Sequence, residues 1–300
     1  MKKRELGNSG LYVSELGLGC MSLPTNRDDA DDIVSTALDA GITFFDTADL
    51  YEGGENEEVV GHAIRNRRDE IILATKVGNK MYPDGKTWHW DASKEHIIEG
   101  VKASLRRLGT DYIDLYQLHG GTMDDNFDEV TEAFERLKDE GVIRQYGISS
   151  IRPNVIQQFL NDSNAVSIMM QYNMLDRRPE EWFPMIKKHS ASVIVRGTLA
   201  KGLLTAEAKQ RVDQTDTFVH YEQPALSEVV HNLTATASNL HAAAIQFCLQ
   251  HDTVATALVG ASTREQLMDS IHAYDTPVGH ATLDAVTRLL ELHNYDQHRI

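Results

Sequence analysis

Cysteine is scarce in this sequence: of 300 residues only Cys20 and Cys248 carry a thiol. Two cysteines build no disulfide framework, and neither stands in a C-x-x-C pair or at a metal-ligand spacing, so a stapled secreted scaffold and a zinc ribbon are both set aside. Positive charge is scarce as well, with 29 Lys and Arg against 45 Asp and Glu and a formal charge of −16. That balance repels a phosphate backbone, so no nucleic-acid partner is expected, and any anionic cofactor needs a local basic or hydrogen-bonding patch. Long hydrophobic runs are missing. Stretches such as Ile42–Phe45 and Val193–Val195 are of strand length, far short of the ~20 residues of a membrane helix, so no membrane partner is expected. The basic start, MKKR, is followed by neither an apolar leader core nor a small-residue cleavage site. Reduced thiols in a cytoplasmic protein, a monomer by default, are the expectation.

The residues that are present, 41% hydrophobic and 25% charged, are those of a globular protein with a large core. The length suits one closed α/β barrel, which needs about 250 residues plus insertions, so residues 1–300 are read as one domain. Two short strands, Arg4–Leu6 and Tyr12–Ser14, flank the turn formers Gly7, Asn8 and Gly10, which predicts a β-hairpin closing the barrel bottom. Strand-like runs then recur at Leu16–Gly19, Thr43–Asp46, Ile71–Lys76, Ile113–His119, Gln145–Ser149, Ser167–Gln171, Ser192–Arg196 and Ala255–Gly260. Between them, apolar residues fall three and four apart: Ile33, Val34, Ala37, Leu38; Val59, Val60, Ala63, Ile64; Ile97, Val101, Leu105, Leu108; Val130, Ala133, Phe134, Leu137. Those spacings gather one apolar face per helix, as outer helices on a parallel sheet require. The fold class read from this alternation is a (β/α)8 TIM barrel with long βα loops over the cofactor site.

Asp28 and Asp29 are expected to cap or favourably charge the first helix, and Asn126 to cap the fourth. The acidic cluster Asp28–Asp32 is a helix start rather than a metal site. The polar stretch Thr205–Asn232 breaks the alternation, with weak helical periodicity at Leu226–Leu233. It reads as a flap over the cofactor or as a disordered insertion. A last helix through Leu283, Val286, Leu289 and Leu290 is expected across the outside of the barrel.

Four residues at strand ends carry the chemistry: Asp46 and Tyr51 in FFDTADLYEGG, Lys76 in IILATKVG and His119 in IDLYQLHGG. Singly they are ordinary, since a loop tyrosine is usually surface and Asp46 alone can cap a turn through an Asx bond. Together they meet at the C-terminal face of a barrel, where active sites form. Reducing a carbonyl requires hydride at carbon and a proton at oxygen. Tyr51 can give that proton, with Lys76 favouring phenolate, Asp46 keeping Lys76 charged and His119, neutral or charged, orienting the oxygen.

The order of these four, with the segments LGNSGLYVSELGLGCM, GITFFDTADLYEGGENEEVVGHAI and GTDYIDLYQLHGG, resembles the aldo-keto reductases over nearly the full length. The resemblance implies NADPH, with NADH use not excluded, bound extended across the barrel mouth; the lack of a G-x-G-x-x-G after a strand fits this. It implies catalytic roles for Asp46, Tyr51, Lys76 and His119, and cofactor contacts from Gly19, Cys20, Met21 and Asp46 near the nicotinamide. Ser149, Ser150 and Gln171 resemble the residues that hold its carboxamide, Ser150 standing where the family usually has Asn. Arg196, Gly197, Thr198, Leu199, Lys201 and Gly202 come from VRGTLAKG, and Arg196 either stacks on the nicotinamide or sits in a surface ion pair. Gly260, Ser262 and Arg264 resemble the loop and helix start that receive the 2′-phosphate, with Gln266 and Asp269 or Ser270 at the adenine. Thr263 stands where a basic residue is common, and Ser270 where Asn is usual. Trp88 and Trp90 either wall the substrate site or pack their loop on itself, and His89 has no metal spacing.

The expected activity is reduction of a small-molecule aldehyde or ketone. Proteins resembling potassium-channel β subunits share the scaffold, so an NADPH-binding regulatory or redox-sensing subunit with little turnover is the alternative. A Schiff-base aldolase using Lys76 would share the barrel without needing the nucleotide segments. Substrate choice rests with loops Gly78–Asp91 and Thr205–Asn232, whose shapes the sequence does not give.

Overall fold

The computed structural model describes residues 1–82 and 87–299, so residues 83–86 of the Gly78–Asp91 loop lie outside the described residues. The chain opens with an antiparallel hairpin, β1 (Lys3–Glu5) and β2 (Tyr12–Ser14), in which Lys3 faces Ser14. Leu6 and Val13 insert from it between Phe44, Ala74, Leu115, Met169 and Ile194, forming a dry plug inside the barrel. Arg4 locks the plug in place: its guanidinium donates to the carbonyls of Leu249, His251 and Val254 and pairs with Glu15. The hairpin thus closes the bottom, as its turn residues imply.

Next come β3 (Leu16–Gly19), α1 (Arg27–Asp39), β4 (Phe44–Asp46), α2 (Glu55–Ile64) and β5 (Ile72–Val77). A small hairpin, β6 (Asn79–Met81) and β7 (Trp88–Trp90), precedes α3 (Lys94–Leu108), β8 (Ile113–His119), α4 (Phe127–Asp139), β9 (Ile143–Ser149) and α5 (Pro153–Asp162). The chain continues through β10 (Ser167–Gln171), α6 (Phe183–Lys188) and β11 (Ser192–Arg196). A long excursion follows, made of α7 (Ala208–Asp213), the two-residue strands β12 (Thr217–Phe218) and β13 (Tyr221–Glu222), and α8 (Ala225–Thr236). The chain ends with α9 (Leu240–Leu249), β14 (Val254–Gly260), α10 (Arg264–Asp275) and α11 (His280–Arg288).

Eight parallel strands close in the order β3-β4-β5-β8-β9-β10-β11-β14 and back to β3. The eight runs anticipated from sequence are these eight, four with identical bounds and the others with ends shifted by one or two residues. Their C-terminal ends align by register: Gly19 beside Asp46, Lys76 beside Gln117, His119 beside Ser149, and Gln171 beside Arg196. Outward-facing apolar residues such as Leu73, Val77, Leu118 and Ile148 join the helices in one continuous core.

Asn126 caps α4 by accepting from Glu129 N–H, as expected. At α1 the cap is Asn26, whose side chain accepts from the amides of Asp28 and Asp29; the two aspartates instead lie in the first turn, where their charge favours the helix dipole. The stretch Thr205–Asn232 is not a disordered insertion, because α7, the β12–β13 hairpin and α8 order it around buried Phe218, Tyr221 and Leu226. Helix α11 packs outside, on α8 and α9. Among the described residues no helix is long and apolar enough to cross a membrane.

Candidate active site

Strand β4 ends at Asp46 and β5 carries Lys76 near its own end, so the two side chains emerge from adjacent strands at the barrel mouth. Both are buried: Lys76 is 0% and Asp46 4% exposed. Lys76 Nζ donates to Asp46 Oδ2 at 2.7 Å, to the carbonyl of Thr47 at 2.7 Å and to the Tyr51 hydroxyl at 3.2 Å. Three acceptors use all three ammonium protons. Burial alone would strip the proton from Lys76, but the charge of Asp46 and the oxygen of Tyr51 reverse that and raise its pKa. Burial also pushes the Asp46 carboxyl upward, against the pull of Lys76, Gln117 and Arg196. With three acceptors on one nitrogen, the proton stays on Lys76 and the pair is ionic.

Tyr51 sits in a short 3-10 turn, Tyr51–Gly54, between β4 and α2. Gly54 ends that turn at φ 100°, and a Cβ there would meet the Arg107 side chain at 2.8 Å. A glycine is therefore needed for Arg107 to pass over the turn and bond the fully buried Glu57, Nε to Oε2 at 2.6 Å. The turn is also tied from below: Thr47 donates to Asn56, and Asn56 donates to the carbonyl of Cys20, joining the ends of β3 and β4 to α2. Burial raises the Tyr51 pKa, outweighing the opposing pull of Lys76. Lys76 does pull Tyr51 toward phenolate, as the sequence led one to expect, but desolvation outweighs that pull and Tyr51 holds its proton.

His119 ends β8, its ring edge-on to Tyr51 with centroids 6.2 Å apart. Burial, then the charges of Lys76 and Arg196, lower its pKa to about 3. The imidazole is neutral at neutral pH, which decides the protonation state the sequence left open. Its Nδ1 is shielded and has no hydrogen-bond partner among the described residues.

These groups border a cleft of about 1640 Å³, larger than the roughly 300–1,000 Å³ of common ligand sites. It extends from Asp46, Tyr51 and His119 past Gln171 and Arg196 to Ser262, Gln266 and Ser270. Gly19, Met21, Ser149, Ser150, Gly197, Thr198, Leu199, Lys201, Gly202, Gly260 and Asp269 also line it. Lys76, fully buried behind Asp46 and Tyr51, does not line it, and neither do two expected cofactor contacts. The Cys20 side chain is fully buried, with Sγ turned to the Leu18 carbonyl, because the chain after β3 rotates it into the core. Arg264 points to the outer helix layer, where it donates to Thr36 Oγ1 at 3.2 Å and lies 3.8 Å from Asp32.

Several expected residues have protein partners of their own. Arg196 donates to Gln171 Oε1 at 3.2 Å while Gln171 Nε2 reaches Asp176, so among the described residues Arg196 is in no surface ion pair. Ser262 donates through both N–H and Oγ to Gln266 Oε1. Ser270 Oγ donates to the carbonyl of Gln266 and lies 3.2 Å from His241 Nε2. Trp88 and Trp90 both line the cleft, and Trp90 also ties its loop to the one after β8 by donating to Asp125 at 2.7 Å and covering Gly78 and Gly120. A Cβ at Gly78, already at φ 137°, would strike that indole at 2.5 Å. His89 stacks near Tyr82.

The structure adds groups that spacing did not reveal. Gln117 Nε2 approaches Asp46 Oδ1 at 3.3 Å, and Asn79 donates to the His119 carbonyl. Asp49, behind the tyrosine turn, is pushed up to about 8 by burial and by Glu57. From the excursion, Lys209 brings positive charge to the cleft, beside Arg211 in its ion pair with Glu207. The only sequence signal for these was their position at strand ends or in the long loop.

The profile of the Aldo/keto reductase family matches residues 15–291. The chain is 51% identical over 283 residues to the uncharacterized oxidoreductase YqkF of Bacillus subtilis (strain 168), covering 91% of each chain. Its backbone matches the holo form of the aldo-keto reductase AKR11C1 from Bacillus halodurans with a TM-score of 0.95 at 52% identity, over 100% of both chains. At 27% identity and 97% coverage of each, it also resembles a probable voltage-gated potassium channel subunit beta of Arabidopsis thaliana.

Proposed function

The chain belongs to the aldo/keto reductase family, and from that membership we propose that it reduces an aldehyde or ketone to the alcohol using NADPH, with Tyr51 as general acid. The observation that carries this reading is the Lys76 ammonium held between Asp46 and the Tyr51 hydroxyl at the edge of the cleft. When bound, the nicotinamide supplies hydride to the carbonyl carbon. Tyr51 gives its proton to the carbonyl oxygen, and the ammonium beside it stabilises the phenolate left behind. Asp46 keeps that ammonium charged. His119, being neutral, has one ring N–H to offer the carbonyl oxygen, which fixes the face presented to hydride.

The cleft fits a dinucleotide by size and by donors. Its volume accommodates a cofactor beside a small substrate. Ser149, Ser150, Gln171 and Arg196 would hold the nicotinamide end; Ser262, Gln266 and Ser270 would hold the other. Lys201 and Lys209 place positive charge in the cleft of a protein of formal charge −16, while Arg211 there is paired with Glu207, and the two ammonium groups favour the phosphates of NADPH. With Arg264 turned to Asp32 and Thr36, Ser262 and those basic side chains carry the preference over NADH. The substrate is a small carbonyl compound seated between Trp88, Trp90 and His119.

The test follows NADPH absorbance with a panel of aldehydes and ketones, comparing wild type with Tyr51→Phe. Wild type should consume NADPH, while the variant binds it equally by fluorescence and loses about 10²–10⁴ in kcat. Wild-type turnover in the variant would remove Tyr51 from the role. Tight NADPH binding with no turnover on any carbonyl would replace the reductase reading with a regulatory one.

A further inference from the structure

Away from the barrel mouth, the β12–β13 hairpin reaches the tail that follows α11. Val219, in the hairpin turn, takes a left-handed φ of 57° that its branched side chain disfavours. The next residue, His220, lies against His293, with ring centroids 3.3 Å apart and planes inclined by 43°. His293 Nε2 in turn lies 3.0 Å from Glu291 Oε2. One donor atom from each of the three residues falls within 4.8 Å of the other two. Both ring nitrogens of His220 are shielded from solvent and meet no hydrogen-bond partner among the described residues. A buried polar atom without a partner is costly, and an imidazole nitrogen in that state is suited to a Lewis acid.

We propose that His220, Glu291 and His293 form a binding site for a divalent transition-metal ion of the zinc class. Two imidazoles and a carboxylate suit zinc and its first-row neighbours, whereas calcium and magnesium favour all-oxygen shells. Tetrahedral coordination with Zn–N near 2.0–2.1 Å sets ligand atoms about 3.3 Å apart. The three donor atoms, within 4.8 Å of one another, would close to that spacing around an ion and leave a fourth position to water. An ion held there joins the hairpin to the C-terminal tail. The same excursion carries Lys209 and Arg211 to the cleft, so the ion restrains a segment that lines it.

Calorimetric titration of the metal-free full-length chain with zinc chloride tests the site. One ion per chain is expected, and His220→Ala and His293→Ala should each weaken binding by at least about 100-fold, the upper end of what even an outer-shell change costs. His280→Ala, an exposed histidine elsewhere, should bind as wild type does. Circular dichroism checks that each variant is folded, and cobalt substitution should give the intense visible absorption of a tetrahedral ion. Absence of binding to wild type, equal binding by wild type and both site variants, or the weak spectrum of an octahedral aquo ion would each overturn the proposal.

Discussion

Replacing Lys76 by Met tests whether the charge arrangement at the barrel mouth is as described. Methionine is unbranched and of similar length, so it fills the space while deleting the ammonium. Asp46, 4% exposed, then keeps Gln117 Nε2 at 3.3 Å as its remaining side-chain donor. Removing one partner of a buried ion pair costs about 3–5 kcal/mol. The carboxylate can instead take up a proton, which caps the loss at about 1.36 kcal/mol per pH unit above its unfolded pKa of about 3.9. The cap is roughly 4 kcal/mol at pH 7 and roughly 1.5 kcal/mol at pH 5. The sign follows from the pKa of Asp46 being raised in the folded variant: stability is present at low pH and lost as pH rises toward the folded value. Urea unfolding followed by circular dichroism at pH 5 and pH 7 should show Lys76→Met losing about 2 kcal/mol more at the higher pH. The double variant Asp46→Asn, Lys76→Met should recover most of the loss at pH 7. An equal loss at both pH values, or a double variant no more stable than the single one, refutes the assignment of a charged, Lys76-dependent Asp46.

Two further predictions concern stability. His119 has a folded pKa of about 3, below its unfolded value of about 6.5, so protonation of the unfolded chain withdraws stability as pH falls below about 6.5. By pH 5 that amounts to about 2 kcal/mol, and His119→Asn should remove this part of the acid sensitivity in urea titrations at pH 5 and 7; identical acid slopes would show that His119 is not held neutral. Gly61 lies where α2 crosses the end of α3, and a Cβ there would sit 2.4 Å from the carbonyl oxygen of Leu108. Backbone cannot yield as a flexible side chain does, so Gly61→Ala should lose about 1–2 kcal/mol despite alanine's helix preference. A gain in urea midpoint would show the helices free to separate.

Much of the architecture is written in local pattern. Alternation of β-branched runs with three-and-four-spaced apolar residues marks the eight strands and the helices α1 to α4, because each strand is buried on both faces and each such helix on one. Helix α9 escaped that reading, since Ala242 to Leu249 are buried almost all round and show no polar stripe. The hairpins β6–β7 and β12–β13 escaped it because strands of two or three residues carry too little periodicity.

For the site, the sequence by itself determined which residue types stand at consecutive strand ends, and so brought Asp46, Tyr51, Lys76 and His119 to one face once the barrel closed. It could not decide their charge states, because those depend on how much water each group loses: desolvation outweighs Lys76 at Tyr51, and keeps His119 a neutral imidazole with a single ring N–H. Nor could it orient side chains one residue from the cleft, so Cys20 turned inward and Arg264 outward, and Gln117 and Thr47 became partners of the ion pair through contacts set by strand register. Only the packed structure joined His220 to His293, two residues far apart in the chain whose meeting depends on where a short hairpin and a tail come to rest.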